Sequence, residues 1–342
     1  MKRNPHIDFL KGIAMIAVVI GHCWLLDKPV RNFLYSFHLP LFFCISGYLS
    51  SSKTPYKEFI VSKAKSILKP YAFYFICSYL CTVLIFRYPV TFELSLKGLF
   101  LGGNYCTEFY NAPLWYLPLF FISVNVFYWI IKIKPLALQY IIIIMGAVLS
   151  LPFNKLLYTL FPDKLIPFNI QALLPSLFFM FIGHEFRKID FSKLKDKING
   201  HVLFAFAILL FGIGTIIGKD NTDQINSVFM TYKFYCYPLL IIPLIVLISC
   251  GTRNKHIEYI GANSITVLGL HRLVFYVFSD TLKLKEHLNL SDENSFLSVI
   301  FISAMCLFII IIGKNIYDFL KTKLNNVIRI YMSESKKTTS RS

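Results

Sequence analysis

Two ionisable side chains interrupt the apolar stretch IDFLKGIAMIAVVIGH, residues 7–22: Lys11 near its start and His22 at its end. On an α-helix their separation is within about 20° of three full turns and rises about 16 Å, so both lie on one face. An ionisable group at the centre of a membrane helix costs about 2.5–3.5 kcal/mol on insertion scales, which favours a bundle interior or a wet cavity over lipid. Taken singly, Lys11 reads equally as a side chain snorkelling to the headgroups, and His22 as a polar contact to a neighbouring helix. Together they would support a cation that holds an anion and an imidazole that takes a proton.

Further groups extend this pattern. In YSFHLPLFFCISGYL, residues 35–49, His38 lies near the same end of its segment as His22 does, and the short DKPVRN connection makes the two segments antiparallel neighbours. Pro40 loosens that helix by removing a backbone donor. Ser46 and Gly47 allow close approach of another helix or a ligand. VSKAKSILKPY brings Lys63, Lys65 and Lys69 to the start of a third segment, either as a topology signal or as a phosphate-binding mouth. FFMFIGHEFRK carries His184, Glu185 and Arg187, with Glu185 suited to pairing with a nearby base. In NYCTEFYNAPLWYLPLFF, Glu108, Asn111 and Trp115 could line a sugar site, while Trp115 and Tyr116 equally suit an interfacial aromatic belt. NSITVLGLHRLVF sets His271 and Arg272 midway along an apolar segment, where the pair is expensive unless it faces a cavity.

The elements that must hold these groups are apolar helices. The 342 residues are 56% hydrophobic and only 15% charged, too few charges to cover a soluble surface of that apolarity. Ten segments are apolar enough to be membrane helices: 7–26, 33–50, 69–86, 114–131, 136–151, 170–187, 201–218, 234–250, 264–281 and 296–316. The fifth has the least certain end, because LPFNKLLYTLFP follows it. The expected fold is an all-α bundle of ten transmembrane helices, residues 1–325, followed by a polar cytoplasmic tail, 326–342. Lysines and arginines fall about two to one on the side that also holds both termini, which assigns that side to the cytoplasm. The same distribution, in short pieces between apolar runs, argues against nucleic acid despite a net charge of +17. No small-residue cleavage site follows His22, so the first helix is expected to be retained. The cysteines lie mostly inside apolar runs as small hydrophobes, and Cys77 and Cys81 lack the further ligands of a zinc set, so neither a metal nor a structural disulfide is expected. No Walker A loop, nucleophile elbow or Cys-x-x-Cys is present.

As a set, these blocks resemble the acyltransferase-3 family of integral membrane O-acyltransferases, which includes bacterial O-antigen and polysaccharide acetylases. A basic residue, ten others, then His is the hallmark of its first helix, here Lys11 and His22 with Lys where Arg is commoner. FHLPLFFCISGYL matches the second-helix signature, and KAKSILKPY aligns with a basic motif usually richer in Arg. LWYLPLFF, FFMFIGHEFRK and NSITVLGLH fall where the family carries similar blocks. The resemblance spans residues 6–275. It implies ten membrane helices in a bacterial cytoplasmic membrane, acetyl-CoA as donor, and an exported glycan or lipid-linked sugar as acceptor. On this reading the CoA phosphates rest near Lys63, Lys65 and Lys69, His22 is the general base or a transient acyl carrier, and His38 orients it. Glu108, Asn111, Trp115 and His271 line the acceptor side. Two alternatives stand beside it: an exporter or flippase for a lipid-linked sugar, with histidines as proton relays, and a non-catalytic subunit of a glycan-assembly complex.

Overall fold

The computed structural model describes residues 4–103, 105, 111–163, 165–219, 233–287 and 296–339, and every regular element among them is helical. In chain order these are α1 (Pro5–Gly21), α2 (Lys28–Leu49), α3 (Tyr56–Ile85), α4 (Phe92–Leu101), α5 (Tyr116–Ile130) and α6 (Leu136–Leu160). There follow α7 (Leu173–Glu185), α8 (Phe191–Lys195), α9 (Gly200–Lys219), α10 (Lys233–Ser249), α11 (Lys255–Ala262), α12 (Ser264–Thr281), α13 (Leu284–His287) and α14 (Phe296–Thr339).

A helix lies on each of the ten apolar segments, and among the described residues length and apolarity qualify four as membrane spans: α3, Ala112–Ile130, α6 and the Phe296–Asn326 part of α14. A fifth arises if α11 and α12, bent by 85°, act as one broken span. For α1, α2 and α7 the physical reason is length and polarity. α1 has 17 residues and α7 has 13, so at about 1.5 Å per residue both fall short of a ~30 Å hydrocarbon layer. α2 is long enough at 22 residues but carries Lys28, Arg31, Asn32 and His38. The spans that do qualify turn apolar side chains outward: Phe73, Leu80 and Leu84 on α3, Ile141, Ile144 and Val148 on α6, Phe301 and Phe308 on α14. Two boundaries differ from the expected ones. α6 absorbs Pro152 and runs on to Leu160, and α14 stays helical past residue 325.

The core is built on α1 and α2. Asn4 caps α1, its side chain accepting from the His6 amide (3.1 Å), and Pro5 supplies a first-turn residue whose missing N–H costs nothing. Beyond the other end of α1 an arginine takes up loop carbonyls. Arg31 donates to Cys23 (3.1 Å) and Leu26 (2.9 Å), tying down the short loop to α2. Two glycine crossings bring helices to backbone contact. A Cβ at Gly47 of α2 would run into the Met180 carbonyl, and one at Gly183 of α7 into the Cys44 carbonyl. Gly12 and Gly261 do the same for α1 and α11. Arg187 closes the α2–α7 pair by donating to the carbonyls of Tyr48 and Ser50.

Candidate active site

Three histidines from three helices converge. The ring of His22, at the end of α1, lies 5.1 Å from that of His271 on α12 and 5.4 Å from Tyr35 on α2; Tyr35 in turn lies 5.2 Å from His38. Each imidazole is anchored in the same way. Nδ1 of His22 contacts Val18 O (2.8 Å), Nδ1 of His38 contacts Leu34 O (2.7 Å), and Nδ1 of His271 contacts Val267 O and Leu268 O (3.0 Å each). A carbonyl oxygen only accepts, so each Nδ1 carries a proton, and in a neutral ring Nε2 is left as the basic atom. The Nε2 of His271 is buried without a partner. Leaving such an acceptor unsatisfied costs about 1–3 kcal/mol, which a ligand hydroxyl would recover. Arg272 stands beside this cluster: Nη1 donates to the His22 carbonyl (3.3 Å) and Nη2 to the Tyr276 hydroxyl (2.8 Å), while Nε is buried and unpartnered.

A cavity of ≈ 500 Å³ opens in the bundle, and its lining stops one turn short of His22 and His271. On α1 it is lined by Lys11, Met15 and Val18, one helical stripe whose next turn is His22. On α2 it is lined by Leu39, Phe42, Ser46 and Ser50, a stripe that starts beside His38. On α12 the stripe is Ser264, Ile265 and Leu268, with His271 a turn further on. Each stripe thus has a histidine just beyond or beside one end of its lining residues. The other end is cationic: Lys11 pairs loosely with Asp8 (3.8 Å), and Lys63 lines the same cavity from α3.

The structure separates the three α3 lysines. Lys63 faces the cavity along with Phe59, Ser66 and Ile67; Lys65 lines only a shallow surface pocket, and Lys69 is exposed and lines no described cavity. A π-helical segment, Ala64–Leu68, sits between Lys63 and Lys69; such bulges re-aim side chains, often at functional sites. Asn111 is fully buried, donating to Ser78 Oγ and to the Gly269 carbonyl (2.8 Å each), so it braces the Ala112–Trp115 turn against α12 two residues from His271. Trp115 is buried edge-on to Tyr116, which removes it from an interfacial belt. Glu108 lies outside the described residues. Glu185 pairs with Lys188 (2.6 Å) and accepts from the Tyr140 hydroxyl (2.5 Å), away from the histidines. His271, expected on the acceptor side, stands in contact with His22 itself. Tyr35 and Arg31 were not among the sequence candidates. Tyr35 was findable as the residue one turn before His38, whereas nothing in the sequence marks Arg31 as the clamp on the α1–α2 loop. Among the described residues no three His, Cys, Asp or Glu are arranged to hold a metal ion.

Fold and site together define an all-helical protein with several apolar spans and a lysine-lined cavity beside a cluster of imidazoles. The family model described as "Acyltransferase domain" matches residues 4–313, and the chain belongs to this acyltransferase-3 family. It is also similar to two proteins called Nodulation protein NolL, from Sinorhizobium fredii (36% identity over 87 residues) and Mesorhizobium japonicum (37% over 87 residues). Each match covers 21% of this chain and 23% of the relative, so under a quarter of the relatives' length is spanned. No solved structure matches the chain.

Proposed function

We propose that the protein is a membrane O-acyltransferase that moves an acetyl group from cytoplasmic acetyl-CoA to a sugar hydroxyl of a cell-surface polysaccharide, O-antigen or lipid-linked glycan precursor. The observation that carries this reading is a cavity lined by Lys11 and Lys63 whose α1 and α12 stripes lead, one turn beyond the lining, to δ-protonated histidines. CoA phosphates are polyanionic and suit the lysines. The extended pantetheine arm suits the roughly 16 Å rise between Lys11 and His22, so the thioester reaches the imidazole while the nucleotide stays at the mouth. On this reading ten helices cross a bacterial cytoplasmic membrane, with both termini inside.

In the reaction, Nε2 of His22 takes the proton of a sugar hydroxyl as its oxygen attacks the thioester carbonyl. The tetrahedral oxyanion lies near the Arg272 guanidinium, whose charge disperses it. Collapse breaks the C–S bond and releases the CoA thiolate, which regains the proton from the imidazolium. The products are an acetyl ester and CoA, with no net proton change. The test is acetyl-CoA consumption by purified protein with a lipid-linked sugar, and the mass gain of one acetyl group on the sugar. Transport of the sugar without thioester cleavage would favour the exporter reading.

A further inference from the structure

The connection between α6 and α7 holds two carboxamides that bond to nothing. Asn169 is 0% and Gln171 1% exposed, both in the turn Pro167–Ala172. The nitrogen and the oxygen of each amide lack a hydrogen-bond partner. Buried carboxamides ordinarily find partners, because they have given up water. The backbone there is strained as well: Phe168 (φ 57°) and Asn169 (φ 50°) are both left-handed, a conformation asparagine tolerates and phenylalanine resists. Gly103, itself at φ 59°, lets the turn pack close, since a Cβ there would lie 3.0 Å from the Asn169 backbone nitrogen and 3.1 Å from its Oδ1. Orphaned polar groups and backbone strain in one segment are a signature of a ligand site rather than of packing.

The position fits an acceptor. The far end of α7 is fixed beside Ser50 by Arg187, at the lysine end of the cavity. The turn that opens α7 is therefore at the opposite end of the bundle, the end at which His22 closes α1. We infer that Asn169 and Gln171 form a binding site for a neutral polyhydroxylated ligand, a sugar residue of the acceptor; the acceptor role rests on the acyltransferase reading. Two carboxamides present four N–H donors and two carbonyl acceptors. Sugar hydroxyls both donate and accept and would satisfy all of them. An anion would leave the two oxygens facing negative charge, a cation would strand the donors, and an apolar group would satisfy nothing.

The test is saturation-transfer NMR on detergent-purified full-length protein, without acetyl-CoA, using methyl glycosides of glucose, galactose, mannose and N-acetylglucosamine as probes. At least one should bind the wild type. Gln171→Met should weaken that binding by about tenfold, the loss of roughly one hydrogen bond's worth of discrimination, without lowering thermal stability, because it removes unsatisfied groups; Asn169→Ala should weaken binding likewise, at a cost in stability, because alanine resists the left-handed backbone at φ 50°. Asn169→Asp keeps the size and backbone tolerance but loses the donors, and should weaken binding too, even if the alanine variant misfolds. Binding of none of the four glycosides by the wild type, or unchanged binding in the variants, overturns the site. Because binding is read without donor, a wild type that binds glycoside yet transfers no acetyl group would sink the acyltransferase reading and leave the sugar site standing.

Discussion

The guanidinium of Arg272 crosses from α12 to α1 and donates to the carbonyl of His22 (3.3 Å), the residue that ends the helix. Tyr276, one turn on, both accepts from the same group (2.8 Å) and lies under it, 4.7 Å from the ring centroid. A charged-group hydrogen bond of this kind is worth about 1.5–3 kcal/mol. Arg272→Gln should therefore slow acetyl transfer by about tenfold to a hundredfold, with the KM for acetyl-CoA nearly unchanged. Arg272→Lys should recover part of kcat. A loss confined to protein abundance, at normal specific activity, would make Arg272 a packing residue only.

His22→Ala removes the proposed base while improving α1 as a helix, since alanine is the better helix former and no polar group is left to bury. Membrane insertion and CoA binding should be kept, and transfer should fall at least about a hundredfold. Transfer normalised to inserted protein, beside CoA binding, decides it. Near-normal turnover would move the exporter reading ahead.

Lys11→Leu and Lys63→Gln should each raise the KM for acetyl-CoA and flatten its dependence on salt, as expected when a phosphate loses a partner within a screening length of about 8 Å at physiological ionic strength. Lys65→Gln and Lys69→Gln should leave both quantities unchanged, because neither side chain lines the cavity. Equal effects at all four positions would mean a diffuse surface field rather than a bound phosphate.

Gly47→Leu and Gly183→Leu place side chains into the facing carbonyls of Met180 and Cys44. Forcing atoms into so close a crossing costs about 1–3 kcal/mol or more. Both variants should show reduced abundance and broadened gel-filtration profiles in detergent, whereas Gly200→Leu, with nothing within 4 Å of its would-be Cβ, should behave as wild type.

Reporter fusions test the proposed topology. One placed after Lys57 should read cytoplasmic and one near Asn221 extracytoplasmic. Matching signals would break the ten-helix arrangement.

The sequence by itself determined the helical, strongly apolar character of the chain and suggested the axis of the proposed site. Apolarity and charge spacing act locally and additively, so they survive without tertiary information, as does the three-turn interval that puts Lys11 and His22 on one stripe. The spacing of Lys63, Lys65 and Lys69 did not show which of them faces the cavity, because the π-helical segment Ala64–Leu68 lies between Lys63 and Lys69. Tertiary structure decided what depends on rotation and depth of one helix against another. It set His271 against His22, buried Trp115, and turned Asn111 into a brace for α12. It brought Arg31 and Arg272 to the end of α1, and left Asn169 and Gln171 without partners. Those relations join residues up to 250 positions apart, through glycine crossings whose close approach no single segment encodes, because each needs the matching carbonyl on another helix.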